Sequence, residues 1–206
     1  MTETNIINRE PTKLDYASPI QFRFKMTKIP KVEFFVQTAN IPGINLGTAV
    51  VPSPLYDYPV PGDKIQFQTL DLSFLVDENL ENYRELHDWI TAIAFPESRE
   101  QFKSFREKNA DRRPDSATVS PTKSDSPKPR TPDSAMYSDA TLTILSNKNN
   151  PVVNVLFNNV YPASLSGLDY TNEGSDTEYL KATATFQYQL YKFESLKTWQ
   201  IGVIII

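Results

Sequence analysis

Cysteine is absent from the 206 residues, which excludes disulfides and thiolate-bound metals. There is a single histidine, His87. A catalytic histidine needs a nucleophile or carboxylate held beside it, and no such partner is conspicuous. Glycine is scarce, at six residues, and no glycine-rich phosphate loop, serine elbow or His-Glu-x-x-His pattern occurs. Neither sign of charge dominates. A formal net charge of -4 argues against wholesale binding to nucleic acid or to an anionic membrane. Long apolar runs are missing too. The opening residues, MTETNIINREPTKLDY, lack the apolar stretch of a secretory signal, and the closing IGVIII is far too short to span a bilayer.

What is present suits a β-rich core: 39% apolar residues, with 12 Phe and 10 Tyr. The length fits one domain with arms. The chain is organised around residues 64–95. Leu70, Leu72, Phe74 and Val76 alternate with polar residues, the period of a half-buried strand. The phase differs at Ile65 and Phe67, which predicts a bulge near Gln68 and Thr69. From Leu80 the period becomes helical, Leu80, Tyr83, Leu86 or His87, Ile90 and Ile93 recurring, and Leu80, Tyr83, Ile90 and Ile93 are expected to be buried against the sheet. Asp77 or Asn79 can cap this helix.

Residues 1–18 read as an extended N-terminal arm. A strand follows with Phe22, Phe24 and Met26 on one face, then a turn at 29–31. Residues 32–40 are expected to form its hairpin partner, ending at Ile41-Pro42-Gly43. Residues 44–64 carry Pro52, Pro54, Pro59 and Pro61. Proline lacks an amide donor, so this is no central strand. An extended arm lying on a neighbour is expected, with Pro59 and Pro61 as interface candidates. Pro96 opens a second helix that Phe102 and Phe105 can anchor.

Residues 109–136 change composition abruptly, with five prolines, eight Ser or Thr and nearly balanced charge. Alone in water such a segment is disordered or polyproline-like. It is expected to gain order on a partner. A hairpin follows, in which Ala140, Leu142 and Ile144 alternate, then a short strand over 160–165. The final strand is long. Leu180 to Leu190 line one face, and Thr183, Thr185, Gln187 and Gln189 line the other, which meets solvent or a channel. The tail 195–206 carries Trp199, Ile201, Val203, Ile204, Ile205 and Ile206. Left in water these are an aggregation hazard, so docking on an adjacent subunit is expected.

No residue stands out as catalytic, metal-binding or cofactor-binding. Asp77, Glu78, Glu81, Glu85 and Asp88 cluster, but without the glycine-bearing loop of a calcium site. A solvated helix face explains them. Arg23, Lys25, Lys28 and Lys31 form a small basic stripe without interleaved aromatics. The fold class is mainly β with one principal helix, an antiparallel sandwich or barrel.

The order of features is also informative. A strand pair ends in Asn40-Ile-Pro-Gly43, and a proline-rich crossing ends in Val60-Pro-Gly-Asp-Lys64. Leu-x-Leu-x-Phe-x-x-Asp-Glu follows at 70–78, then a helix with Tyr83, Arg84 and Trp89. The carboxyl half adds Tyr161-Pro162 and a strand to Glu194. This order resembles the tail-tube fold of T-even-like contractile-tailed phages, and more closely the baseplate proteins that share it and initiate the tube. The resemblance covers roughly 18–194, less 109–136. It implies a domain over 19–194 that forms a hexameric ring, stacked into a conduit through which DNA passes without being held. It implies no enzymatic activity, no cofactor and no membrane. Partners would be further copies and other tube, baseplate or sheath proteins, in a virion tail assembled in host cytoplasm. The 109–136 insert and the tail beyond Glu194 depart from a repeating tube subunit and suit a tube initiator better. Two other readings stand beside it: a carbohydrate-binding β-sandwich, and an enzyme built from scattered carboxylates.

Overall fold

Two strands that are distant in sequence set the frame. β1 (Phe22–Met26) pairs antiparallel with β6 (Ser138–Leu145), Phe22 opposite Ile144 and Met26 opposite Ala140. The computed structural model describes residues 16–94, 98–109, 136–171 and 179–196. Residues 1–15 of the N-terminal arm, most of the 109–136 insert and residues 197–206 lie outside the described residues, as does Pro96.

The alternation expected in β1 holds, with Phe24 and Met26 buried. Its expected hairpin with 32–40 does not. Residues 30–33 wind into a one-turn helix, α1 (Pro30–Glu33), with proline in its first turn. The chain then resumes as β2 (Val36–Ala39), which pairs with β5 (Leu70–Leu75) instead. Between them lie β3 (Ile44–Val51) and β4 (Tyr58–Phe67), which pair only with each other among the described residues.

β6 turns into β7 (Pro151–Leu165) through a short loop, as the alternation implied. The segment read as a separate strand at 160–165 is the far half of β7. Asn159 takes φ 54 and the register slips beyond Pro162, so the strand bends. Its first half lies beside β6 and its second half beside β8 (Lys181–Gln187).

The long terminal strand is interrupted. β8 pairs with β5 and β7, while β9 (Leu190–Ser195) pairs with β7 alone. The register nevertheless runs on, Tyr161 opposite Gln187 and then Asn158 opposite Leu190. The two are halves of one strand, broken at Tyr188–Gln189. The sheet order is β1-β6-β7-β8-β5-β2, with β9 alongside β7. Phe24, Leu142 and Phe157 from one half share a single core with Leu72, Phe74 and Phe186 from the other.

α2 (Glu81–Ala94) closes this core. Its buried residues are Asn82, Leu86, Trp89 and Ala92, a face rotated from the expected one. Tyr83, Ile90 and Ile93 are half-buried. Leu80 lies just before the helix, at φ 56. Asn82 accounts for the rotation: its amide donates to Leu75 O and its carbonyl accepts from Asp77 N and Tyr83 N. The Asp77 carboxylate accepts in return from Asn82 N, so Asp77 caps the helix. α3 (Arg99–Lys108) follows Ser98 and leans on the core through Phe105.

Candidate assembly surface

β2 and β3 continue one another, as do β4 and β5. Asn40 N donates to Asp71 O, and Gln68 N donates to Gly43 O, so pairing carries through both joints. The result is one long ribbon. Its base belongs to the main sheet and its outer part is a free two-stranded arm. The bulge expected near Gln68 and Thr69 does not form: Ala39 opposes Leu72 and Ile44 opposes Phe67 without a slip, and the change of apolar phase marks where the strand leaves β8 for the arm. The arm is about 26 Å long, from eight residues at ~3.3 Å each. Gly47 and Gly62 touch at its register slip. A Cβ on Gly62 would stand 2.8 Å from Gly47 O, so the strands can cross this closely only without side chains.

The arm's register sets apolar residues along one face, while Val51, Tyr58 and Val60 fall on the other. Ile44 opposes Phe67, Leu46 opposes Ile65, Thr48 opposes Pro61 and Val50 opposes Pro59. Cross-strand partners share a face. Ile44, Leu46, Val50 and Ile65 are each more than half exposed, and Leu55 and Tyr56 project at the tip. Pro59 and Pro61 lie exposed on this face. Prolines are tolerated because the ribbon has no further strand to serve.

At the arm's base sits an aromatic cluster of Phe67, Phe157, Tyr188 and Tyr191, with centroids 5.2–6.0 Å apart. Tyr188 Oη donates to Gln68 O at 2.8 Å, and Tyr191 Oη donates to Pro42 O at 3.1 Å. Burial pushes the Tyr188 phenol up to about 12, with Tyr191 adding to the shift. An unfolded tyrosine ionises near ~10, so the folded chain holds this proton more tightly. Its stabilising contribution is complete below about pH 10 and falls away as pH rises from about 10 to 12. Stability measured across that window is expected to drop, and a flat profile would contradict the burial.

Three strand edges of the main sheet are open. β1, β2 and β9 each lack a further strand partner among the described residues, and β2 and β9 are largely exposed. Phe34 beside β2 is 84% exposed and Phe193 on β9 is 60% exposed. Lys31 and Glu81 form an ion pair nearby; it raises the Lys31 pKa and holds Glu81 below the usual carboxylate range.

Thr183, Thr185 and Gln187 occupy the outward face of β8, opposite Ser73, Asp71 and Tyr161 respectively. Gln189 sits at the strand break and accepts a hydrogen bond from Asn159 Nδ2. Trp199, Ile201, Val203 and Ile204–Ile206 lie outside the described residues.

The basic stripe is broken up. Arg23 and Lys25 are exposed, but Lys28 is buried. Its ammonium donates to Tyr137 O and lies over the Trp89 and Phe105 rings, at 5.1 and 5.2 Å. The parity of Phe24 and Met26 extends to Lys28, and that is the signal that places it inside. His87 is exposed, with Nδ1 3.6 Å from its neighbour Asp88. Among the described residues no three acidic or histidine side chains gather as metal ligands.

The comparisons with known proteins concern the whole domain. Residues 15–194 match the family described as phage tail tube protein. The chain belongs to that family. No curated protein matches it in sequence. Among solved structures, this tail tube family member is similar to the terminating cap of the anti-feeding prophage tube, at 12% identity and TM-score 0.54. That likeness covers 93% of this chain and 99% of the other. A chain of the anti-feeding prophage baseplate is also similar, at 12% identity and TM-score 0.51, covering 90% and 100%. So is one from the sheath-tube complex of an extracellular contractile injection system, PVC, at 12% identity and TM-score 0.50, covering 95% and 99%. At such identities the shared property is the fold.

Proposed function

We propose that this protein is a structural, non-enzymatic component of a contractile phage tail, and that six copies close into a ring of the tube or its baseplate initiator. The observation that carries the reading is the β3–β4 arm. An isolated two-stranded ribbon is marginal in water, and this one exposes an apolar face. Its occupant is a second copy of the chain. Head-to-tail contacts between identical copies close a ring when the rotation allows, and they use different surfaces on each copy. The arm supplies one such surface; the open β2 and β9 edges supply others. Membership of the tail tube family supports the assembly, and the cap, baseplate and sheath-tube likenesses support a place among tube-related rings.

Purified protein viewed by negative stain is expected to show rings or short tubes. Monomers alone, at every concentration reached, would overturn the reading.

The β8 face with Thr183, Thr185 and Gln187 is proposed to line the conduit. Asp71 and Lys181 are the charges on this part of β5 and β8, so DNA passes without being gripped. Thr183→Lys with Thr185→Lys is expected to make rings retain DNA, with affinity falling steeply as salt rises. Two added cations in each of six copies steepen the salt dependence. Unchanged retention would move the conduit to another face.

A further inference from the structure

We infer that Tyr188 and Tyr191 are positioning residues for the arm: their hydroxyls hold the ribbon at its joint and set the direction in which the arm leaves the body. The inference rests on the proposed ring for its purpose, but its geometry stands by itself. The ribbon has one joint, at residues 40–43 on one strand and 68–69 on the other. The two strands are tied to each other there by Gln68 N donating to Gly43 O at 3.0 Å. Besides the β5–β8 pairing that begins at Leu70, two tyrosine hydroxyls tie the joint to the body. Tyr188 Oη reaches Gln68 O on one strand and Tyr191 Oη reaches Pro42 O on the other. Each strand of the joint is therefore held once, from residues three apart at the β8–β9 break.

The tyrosines sit where this can work. Tyr188 lies in the break between β8 and β9 and Tyr191 at the start of β9, close to where β5 leaves β8 at the Leu70–Phe186 pair. The space beside them is filled by rings, Phe67 edge-on to Tyr191 at 5.6 Å and Phe157 edge-on to Tyr188 at 5.2 Å. Rings alone can slide over one another. A hydroxyl bonded to a backbone carbonyl fixes direction as well as contact. Both tyrosines lie outside the apolar face of the arm, so their removal leaves the docking residues intact.

The experiment uses the full chain with Tyr188→Phe, Tyr191→Phe and both together. Each change keeps the ring and deletes one oxygen. Tyr83→Phe serves as comparator, since it removes a similar hydroxyl bond, to Ser166 O, far from the joint. Hydrogen exchange of the Gln68 amide reads the joint. It is expected to speed up about fivefold for each hydroxyl lost and about 25-fold for both, with little change at core amides. Because the chain has no cysteine, Lys25→Cys on the body and Ala49→Cys on the other face of the arm accept spin labels at two sites only. The distance distribution between them is expected to broaden in the double variant and stay narrow in Tyr83→Phe. Unchanged Gln68 exchange and an unchanged distribution in the double variant overturn the inference. So does exchange that rises equally across the chain, since that marks a general loss of stability. Ring formation is read separately. A broadened arm in rings that form normally leaves the positioning role standing and sinks the arm-docking reading.

Discussion

Trp89→Ala is expected to cost about 3–5 kcal/mol of folding stability, the range for deleting a large aromatic from a packed core. Trp89 has no exposed surface, and its ring packs on Phe186 at 6.3 Å. Its indole N–H donates to Met136 O at 3.0 Å, which the substitution leaves without that donor. The Lys28 ammonium loses one of the two rings it lies against. These losses meet at one point because Trp89 joins α2 to the start of β6 and to the approach of α3. Chemical denaturation reads the cost, and a chain of this size should lose roughly 6–20 °C in its melting midpoint. Trp89→Phe keeps most of the volume and drops the hydrogen bond, so its cost should be distinctly smaller. Ile90→Ala, at a half-buried position, should also cost less. A change under about 1 kcal/mol for Trp89→Ala would refute this placement of the helix.

Leu46→Asp or Val50→Asp is expected to leave the monomer folded and to remove rings. Both side chains are more than half exposed, so neither contributes much to the body's core. If another copy covers the arm, each substitution forgoes about 1.5–3 kcal/mol of apolar burial at every contact. It also places an unpaired carboxylate in an apolar contact, which costs more. The weakening per contact is at least about tenfold and rises well beyond a hundredfold with the charge. A closed ring repeats the contact in every copy, so the losses compound. Sizing chromatography with an unchanged circular dichroism spectrum reads the outcome. Rings formed as before would show that the apolar face of the arm is not what holds copies together.

Much of the body was legible as alternation. Phe24 and Met26, Leu70 to Phe74, and Ala182 to Phe186 are buried at the parity the sequence shows, because a half-buried strand has a period of two. Partners were harder to read. β1 was expected to pair with the strand that follows it, yet its partner β6 lies beyond α3, since pairing is settled by core geometry and not by nearness in sequence. The helix face was misjudged by a rotation, because Asn82 is polar and buried. Its side-chain amide donates to Leu75 O and accepts from Asp77 N, a compensation that hydrophobic patterning does not register. The break at Tyr188–Gln189 was invisible for the opposite reason. Alternation runs smoothly through it, and the change comes from β5 departing with the ribbon. In the candidate surface, the prolines at 59 and 61 signalled an arm. That the arm is a paired ribbon became clear only from its register, Val50 opposite Pro59 and Thr48 opposite Pro61.

The continuity of the ribbon has a mechanical consequence. β4 runs into β5 across two residues, so tension on the arm's backbone enters the body at Leu70. There the strand is bound to β8 by six successive register pairs, Leu70 opposite Phe186 through Leu75 opposite Lys181. Hydrogen bonds of an antiparallel ladder lie across the strands, and a pull along the strand loads them together, in shear. The alternative, a hairpin hung from a loose loop, would yield one bond at a time. A protein pulled by its arm is therefore expected to resist until the β5–β8 ladder fails as a unit. The load path avoids α2 and α3 and leaves them as bystanders to the force.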